Sequence, residues 1–315
     1  IYTALAWRNK EYGSALDFVW AQDPNIFAIR DAQNQIIIHK NFKPKPNGEI
    51  DFPYNVEKLY GGSLLGVKSD GFVAFYDWES SELVRRIDVD ATDIVWSESG
   101  ELVLIVSSDA SYALKFDKDI FVEALEAGNI DPEDGVEDSF EVLYDVNDSV
   151  TSGKWVGDVF IFTTSTNRLN YLVGGKTYNI AHFDNTAYLL GYLARDNKVY
   201  VADKDINVSS YHLSLAVLEY QTLVLRGELE QANQDLLPSI EKNDLLKISR
   251  FLEAQEYLEE ALQISPDSEQ KFEIALKIKD FTTARTIASE ENTEHKWKSL
   301  GDLALSSFKY KLAIE

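Results

Sequence analysis

The apolar period of this 315-residue chain changes once, near residues 208–213. Before that point apolar and polar residues alternate in short runs separated by turn residues, the mark of β-strands. After it they recur every third or fourth residue, the mark of amphipathic helices. A strand-period segment cannot present one apolar face as a helix, nor a helix-period segment as a strand. Two successive units are therefore expected, all-β over residues 1–208 and all-α over 209–315.

The β part repeats. Asp17-Phe-Val-Trp20 and Asp93-Ile-Val-Trp96 share a pattern 76 residues apart. Similar strand starts occur at Tyr60-Gly-Gly-Ser-Leu-Leu-Gly66, at Lys154-Trp155-Val-Gly-Asp-Val-Phe160 and at Leu189-Leu-Gly-Tyr192. The starts fall near 20, 61, 96, 155 and 191, mostly 35 to 41 residues apart. A four-stranded propeller blade takes about 40–45 residues, so the spacing predicts a WD40-like β-propeller with about five blades visible. Phe75-Tyr-Asp-Trp78 stands where such blades often end in Trp-Asp. Gly71–Tyr76, Glu101–Val106 and Val159–Phe162 are among the strands this reading expects.

The helical part repeats too. Leu223, Leu229 and Ala232 are spaced by six and three, as are Leu252, Leu258 and Ala261, then Ala275, Phe281 and Ala284, then Ala304, Tyr310 and Ala313. Each bulky middle residue fits a helix start, with the alanine one turn later on the same face. Leu213, Val217, Tyr220 and Val224 open the first helix, and Pro238 and Pro266 mark breaks between helices. Short antiparallel helix pairs bury their apolar faces by stacking, so a TPR-like α-solenoid is expected.

Charge excludes some functions. A net charge of −23 is the wrong sign for nucleic acid, whose phosphates need Lys and Arg clusters. It gives no support to binding an anionic membrane surface either. No apolar run approaches the roughly 20 residues of a membrane span. Cysteine is absent, so there is no disulfide framework and no thiolate metal site. The chain opens at Ile1 inside an apolar segment, as expected of a fragment. The acid is concentrated over 117–150: twelve Asp or Glu stand against one Lys between Asp117 and Asp148. This stretch is expected to be an acidic insertion containing one short helix over Ile120–Leu125. It is either a solvated loop or a docking surface for a basic partner.

One stretch imitates a nucleotide site. Gly174-Gly175-Lys176-Thr177 ends as a phosphate-binding loop does, but the first glycine of that motif would fall at Asn170. The residues after Thr177 alternate as a strand, so Gly174-Gly175 is expected to be a two-residue hairpin turn. His39, His182, His212 and His295 show no metal-ligand spacing, and no nucleophile elbow is present. No catalytic constellation and no cofactor site is expected.

Several longer stretches carry a resemblance. Tyr2-Thr-Ala-Leu-Ala-Trp-Arg-Asn-Lys10 with Gly13-Ser-Ala-Leu-Asp-Phe-Val-Trp20 resembles the start of the second propeller of the coatomer β′ family, large subunits of the COPI vesicle coat. Leu65-Gly-Val-Lys68 with Ala74-Phe-Tyr-Asp-Trp78, Trp96-Ser97 with Ser99-Gly-Glu-Leu102, and Asn167-Arg-Leu-Asn-Tyr-Leu-Val-Gly-Gly175 are similar as well. So are Val217-Leu-Glu-Tyr-Gln-Thr222 and Glu294-His-Lys-Trp-Lys298. The resemblance covers essentially the whole chain. It implies a structural coat subunit of Golgi-to-ER and intra-Golgi transport, cytoplasmic and peripheral on Golgi membranes and coated vesicles. It implies pairing with the α subunit of coatomer through the solenoid, and assembly with the other coatomer subunits. In the family, dilysine cargo tails are read by a first propeller that lies outside this sequence, so no cargo-binding residue is carried over. It also implies that the first blades of the second propeller are missing here.

Trp297, Leu300 and Phe308 are the apolar residues expected to bury against either the next helix or the α subunit. Other readings are a clathrin-like, ciliary-transport or nuclear-pore scaffold, or a ligand-binding or enzymatic propeller. The last would need polar residues converging at the central channel, and no Asp, His or Arg recurs through the five blade starts.

Overall fold

A computed structural model of the chain describes residues 14–310. Residues 2–10 of the resemblance, Gly13, and Ala313 of the helical repeat lie outside them. The chain divides into two compact units, Ile1–Leu193 with Lys198–Tyr211, and Ala194–Asn197 with His212–Glu315.

The first unit is built from antiparallel sheets in chain order. Blade one holds β1 (Ala15–Trp20), β2 (Ile26–Asp31), β3 (Ile36–Lys40) and β4 (Lys43–Ile50). Blade two holds β5 (Lys58–Tyr60), β6 (Leu65–Ser69), β7 (Phe72–Tyr76) and β8 (Leu83–Ile87). Blade three holds β9 (Ala91–Trp96), β10 (Leu102–Ser107), β11 (Ser111–Phe116) and β12 (Phe140–Val146). Blade four holds β13 (Val150–Val156), β14 (Val159–Thr164), β15 (Arg168–Val173) and β16 (Lys176–His182). Blade five has three strands, β17 (Ala187–Leu193), β18 (Lys198–Asp203) and β19 (Val208–His212). This is the WD-type propeller expected from the spacing. The repeated Trp strands are the first strands of blades one, three and four.

The central strands are apolar on both faces because neighbouring sheets cover them. Phe72–Tyr76 and Val159–Thr164 are buried along their whole length. Layers of side chains fill the gaps: Ile36, Ile38, Val67 and Ala74 between blades one and two, and Phe75, Val84, Val103 and Ile105 between two and three. Leu104, Val146, Phe160 and Phe162 do the same between three and four.

Each seam also carries a polar link. Gln22 donates its backbone N–H to Gly62 O at 2.9 Å, joining blades one and two. The Tyr60 hydroxyl donates to Ala91 O at 3.2 Å, joining two and three. Trp155 Nε1 donates to Val95 O at 2.9 Å, joining three and four, and Leu189 N–H donates to Ser152 Oγ at 2.8 Å, joining four and five.

The acid-rich stretch is not one insertion over 117–150. Residues 140–146 are the fourth strand of blade three, and Lys118–Ala127 form helix α1, longer at both ends than expected. Asp117 caps α1 by accepting the N–H groups of Asp119 and Ile120. Phe121, 2% exposed, holds the helix to the core between blades two and three. Phe140, Val142, Tyr144 and Val146 were the strand signal, obscured by the acids among them and by a register shift at Leu143.

The second unit opens with α2 (Leu215–Leu225). Leu213 is buried but precedes the helix, while Val217, Tyr220 and Val224 lie inside it and are buried. Next come α3 (Leu229–Gln231), a π-helical turn Ala232–Leu236 and a 3-10 turn Leu237–Ser239 holding Pro238. The stack continues with α4 (Lys242–Ala254), α5 (Leu258–Ile264), α6 (Ser268–Ile278), α7 (Phe281–Glu291) and α8 (Glu294–Ser306). Leu229, Leu258 and Phe281 begin their helices, as the repeat predicts. Ala232, Ala261, Ala275, Ala284 and Ala304 are all at 0% exposure, so small residues stand where helices approach closely. Asp267 and Asp280 cap α6 and α7, and Lys279 and Asn292 end them in left-handed conformation.

Candidate interaction surfaces

The three residues expected at a partner interface do not form one surface. Leu300 is 1% exposed and packs with Phe272, Ala275, Phe281 and Ala304. Its contacts are the preceding helices α6 and α7, because positions 300 and 304 share the inward face of α8. Trp297 lies at the edge of that cluster, partly buried, and donates its indole N–H to Asn292 Oδ1 at 3.2 Å. Phe308 follows the end of α8 with φ of 60° and is 77% exposed. Its ring meets Tyr310 edge-on at 6.4 Å, and Tyr310 is 58% exposed. Of the three, only Phe308 presents a large free apolar surface, and Tyr310, which sequence reading assigned to a helix start, extends it.

Behind this surface the helices are locked by charge. Lys296, on α8, is buried, yet its Nζ meets Glu269 of α6 at 2.8 Å and also Glu291 of α7. It also lies 5.5 Å from the Phe272 ring. Burial works to lower the Lys296 pKa, but the hydrogen bonds it donates to both carboxylates outweigh it and hold it above the usual lysine value. Glu253 of α4 accepts from Gln270 at 3.1 Å and pairs with Lys277 at 2.5 Å, tying α4 to α6. Nothing in the 3.6 period revealed these pairs, since all but Lys296–Glu291 join residues 17 to 27 positions apart.

In the propeller unit, turns from three blades enclose a cleft of about 510 Å³. Gln22, Ser63, Trp78, Glu101, Lys115 and Asp119 are among its lining. The Ser63 hydroxyl donates to Gln22 Oε1 at 2.7 Å, and Gln22 Nε2 donates to Glu98 O, so one side chain links blades one, two and three. Trp78, 5% exposed, donates to Gly62 O at 3.0 Å.

Most of the carboxylates at this cleft are already engaged. Asp23 accepts from Asn25, Asp77 from the Glu79 and Ser80 N–H groups, Asp117 caps α1, and Glu79 pairs with Lys40 at 2.6 Å. Polar groups thus converge here. They come from the turns just after the blade starts, at Gln22, Ser63 and Glu98. Their role is to tie blades together.

Among the described residues no group of three or more His, Asp or Glu is placed to hold a metal ion. His39 is 5% exposed and stacks on Phe27 at 4.9 Å. His212 lies 3.7 Å from the buried carboxylate of Asp244, which Lys247 also meets at 2.7 Å. Gly174 and Gly175 have φ of 56° and 73° and join β15 to β16, so the Gly-Lys-Thr is a hairpin turn followed by a strand. No described helix is long and apolar enough to cross a membrane.

Comparison with known proteins agrees with both halves of this architecture. Residues 1–203 match the family described as the COPA/B second beta-propeller, and residues 220–315 match the COPA/B TPR domain. The whole chain is 46% identical over 315 residues to coatomer subunit beta' of Rattus norvegicus, of which it covers 34%. It is 47% identical over 315 residues to the probable coatomer subunit beta' of Schizosaccharomyces pombe, covering 39% of that protein. It is 46% identical over 316 residues to coatomer subunit beta'-1 of Oryza sativa, again covering 34%. All of this chain is included in each match, and it spans between a third and two fifths of these relatives. With the second beta-propeller over residues 1–203 and the TPR domain over residues 220–315, this chain belongs to the COPA/B family, and the relatives named above are coatomer β′ subunits.

Proposed function

We propose that this chain is a scaffold segment of a COPI coat, serving Golgi-to-ER and intra-Golgi vesicle transport without chemistry of its own. The observation that carries the proposal is the full-length match to coatomer β′ proteins, with both family domains in the same order. The physical task of such a subunit is geometric. Blades joined by buried layers and polar seams make a stiff body. A helical stack held by nearest-neighbour packing makes a long surface that flexes along its length.

In this reading the helical unit pairs with the α subunit of coatomer, and other coatomer subunits join through further modest interfaces. Avidity in the lattice supplies the strength that single contacts lack. Phe308 and Tyr310, with Trp297 at the margin, form the α-subunit or next-helix surface. Leu300 does not, because its face is already filled. Cargo tails are read elsewhere in the longer protein. The protein works in the cytoplasm, peripherally on Golgi membranes and COPI-coated vesicles.

Replacement in cells tests this. The chain would substitute for the matching residues of the Schizosaccharomyces pombe relative. Growth and recovery of an intact coat complex are expected. A chimera that folds but no longer co-purifies with the other subunits would overturn the assignment.

A further inference from the structure

We infer that the acid-rich connection of blade three is a clasp that closes the outer edge of blade two. β8 is the outermost strand of its sheet, and such an edge presents unpaired N–H and C=O groups. The connection between α1 and β12 runs across it. Val136 donates its N–H to Val84 O at 2.7 Å, and Arg86 donates to Asp134 O at 3.0 Å. Between these bonds Arg85 and Gly135 face each other as an antiparallel bridge. The clasp is itself a tight loop, closed by a second bridge from Asp131 to Gly135 and by the Asp131 carboxylate, which accepts from the Glu133 and Asp134 N–H groups.

Gly135 is what lets the two backbones meet. Its φ is 77°, and a Cβ there would stand 2.4 Å from Val84 O and 2.7 Å from Val84 C. No other residue type fits without moving the strands apart. Apolar anchors hold the clasp from both sides. Phe121, Ile130 and Val136 pack into the cluster that contains Val73, Phe75 and Val84. The acids face outward: Asp131, Glu133, Asp134, Glu137 and Asp138 are all exposed. The one ion pair across the edge, Arg85 to Glu137 at 3.8 Å, is solvent-exposed on the Glu137 side and contributes little. Backbone pairing and apolar anchoring therefore hold the clasp, and the charge keeps the covered edge soluble.

It follows that β8 is a strand-accepting edge, filled in cis by an extended acidic segment with glycine at its crossing point. Hydrogen exchange on the chain tests this in two variants. In Gly135→Val, the Arg86 amide should exchange about tenfold faster or more, while amides of blade four keep their protection. In the second variant a flexible Gly/Ser linker of equal length replaces residues 129–139. A synthetic peptide of that sequence, added in trans, should restore slow exchange at Arg86, and a scrambled peptide of the same composition should not. Unchanged Arg86 exchange in Gly135→Val would overturn the inference, as would equal protection by the scrambled peptide. If the linker variant does not fold, the Gly135→Val result decides alone.

Discussion

Trp155 of blade four donates its indole N–H to the carbonyl of Val95 in blade three, at 2.9 Å, with the ring 4% exposed. The bond crosses from one sheet to the next, where no backbone ladder runs. Trp155→Phe keeps most of the apolar contact and removes only the donor. The Val95 carbonyl is then left without that bond, and a loss of about 1–2 kcal/mol is expected. Trp155→Ala adds a cavity and should cost about 3–5 kcal/mol. Urea unfolding of the two variants separates the terms. Equal losses would mean that the hydrogen bond, not packing, holds the seam.

Lys296 makes a second, electrostatic prediction. Its folded pKa is raised, so its contribution is complete below the usual lysine value of 10.5 and is lost as pH climbs through the higher folded value. Glu291 is lowered by the hydrogen bond from Lys296, so its contribution is present above the usual 4.5 and is lost as pH falls through the lower folded value. Relative to Glu269→Gln/Glu291→Gln, the wild type should be most stabilised between about pH 5 and 10. The advantage should shrink in acid, as wild-type Glu291 becomes neutral too. Lys296→Met removes one partner and leaves the Glu269 and Glu291 carboxylates without it, so stability should fall by more than about 1 kcal/mol. Thermal melts across pH check both statements.

Leu300 inside α8 and Phe308 just beyond its end carry opposite predictions. Leu300→Ala empties a filled core position and should cost about 2–5 kcal/mol. Phe308→Ala touches a solvent-exposed ring and should stay within about 0.5 kcal/mol of wild type. Calorimetric binding to the α-subunit solenoid should then show the reverse order of importance, with Phe308→Ala weakening the complex at unchanged stability. Full binding by Phe308→Ala would remove that residue from the interface.

The glycine turn yields a negative test of nucleotide binding and a positive test of the hairpin. Gly175 has φ of 73°, and a Cβ there would stand 2.7 Å from the Tyr144 ring. Gly175→Val should lower stability by about 1 kcal/mol or more, because a β-branched residue resists this backbone conformation. Saturating Mg-ATP should leave the melting curve of the wild type unmoved. A rise in the midpoint with ATP would contradict the turn assignment.

What could be read in advance was what is local. The strand ending in Asp17-Phe-Val-Trp20 and the helix beginning at Phe281 announce themselves because their signals lie within a few residues. The hairpin at Gly174-Gly175 is legible for the same reason. β12 was masked by the acids among its apolar residues and by a register shift at Leu143 that breaks its alternation. The cleft at Gln22, Ser63 and Glu98 draws on turns 41 and 76 residues apart, and only closure of the blades brings them together. Leu300 and Phe308 looked alike as apolar residues of one segment. The end of α8 at Ser306 separates them, leaving one inside and the other in solvent.

The most direct test of the central claim is light scattering of the purified chain after size exclusion, alone and mixed with the solenoid of the coatomer α subunit. A one-to-one complex is predicted, lost when α6–α8 are deleted and retained when residues 129–139 are replaced by a linker. Absence of any complex at tens of micromolar (the upper range of a transient interface) would contradict the assignment of the helical unit as the assembly arm.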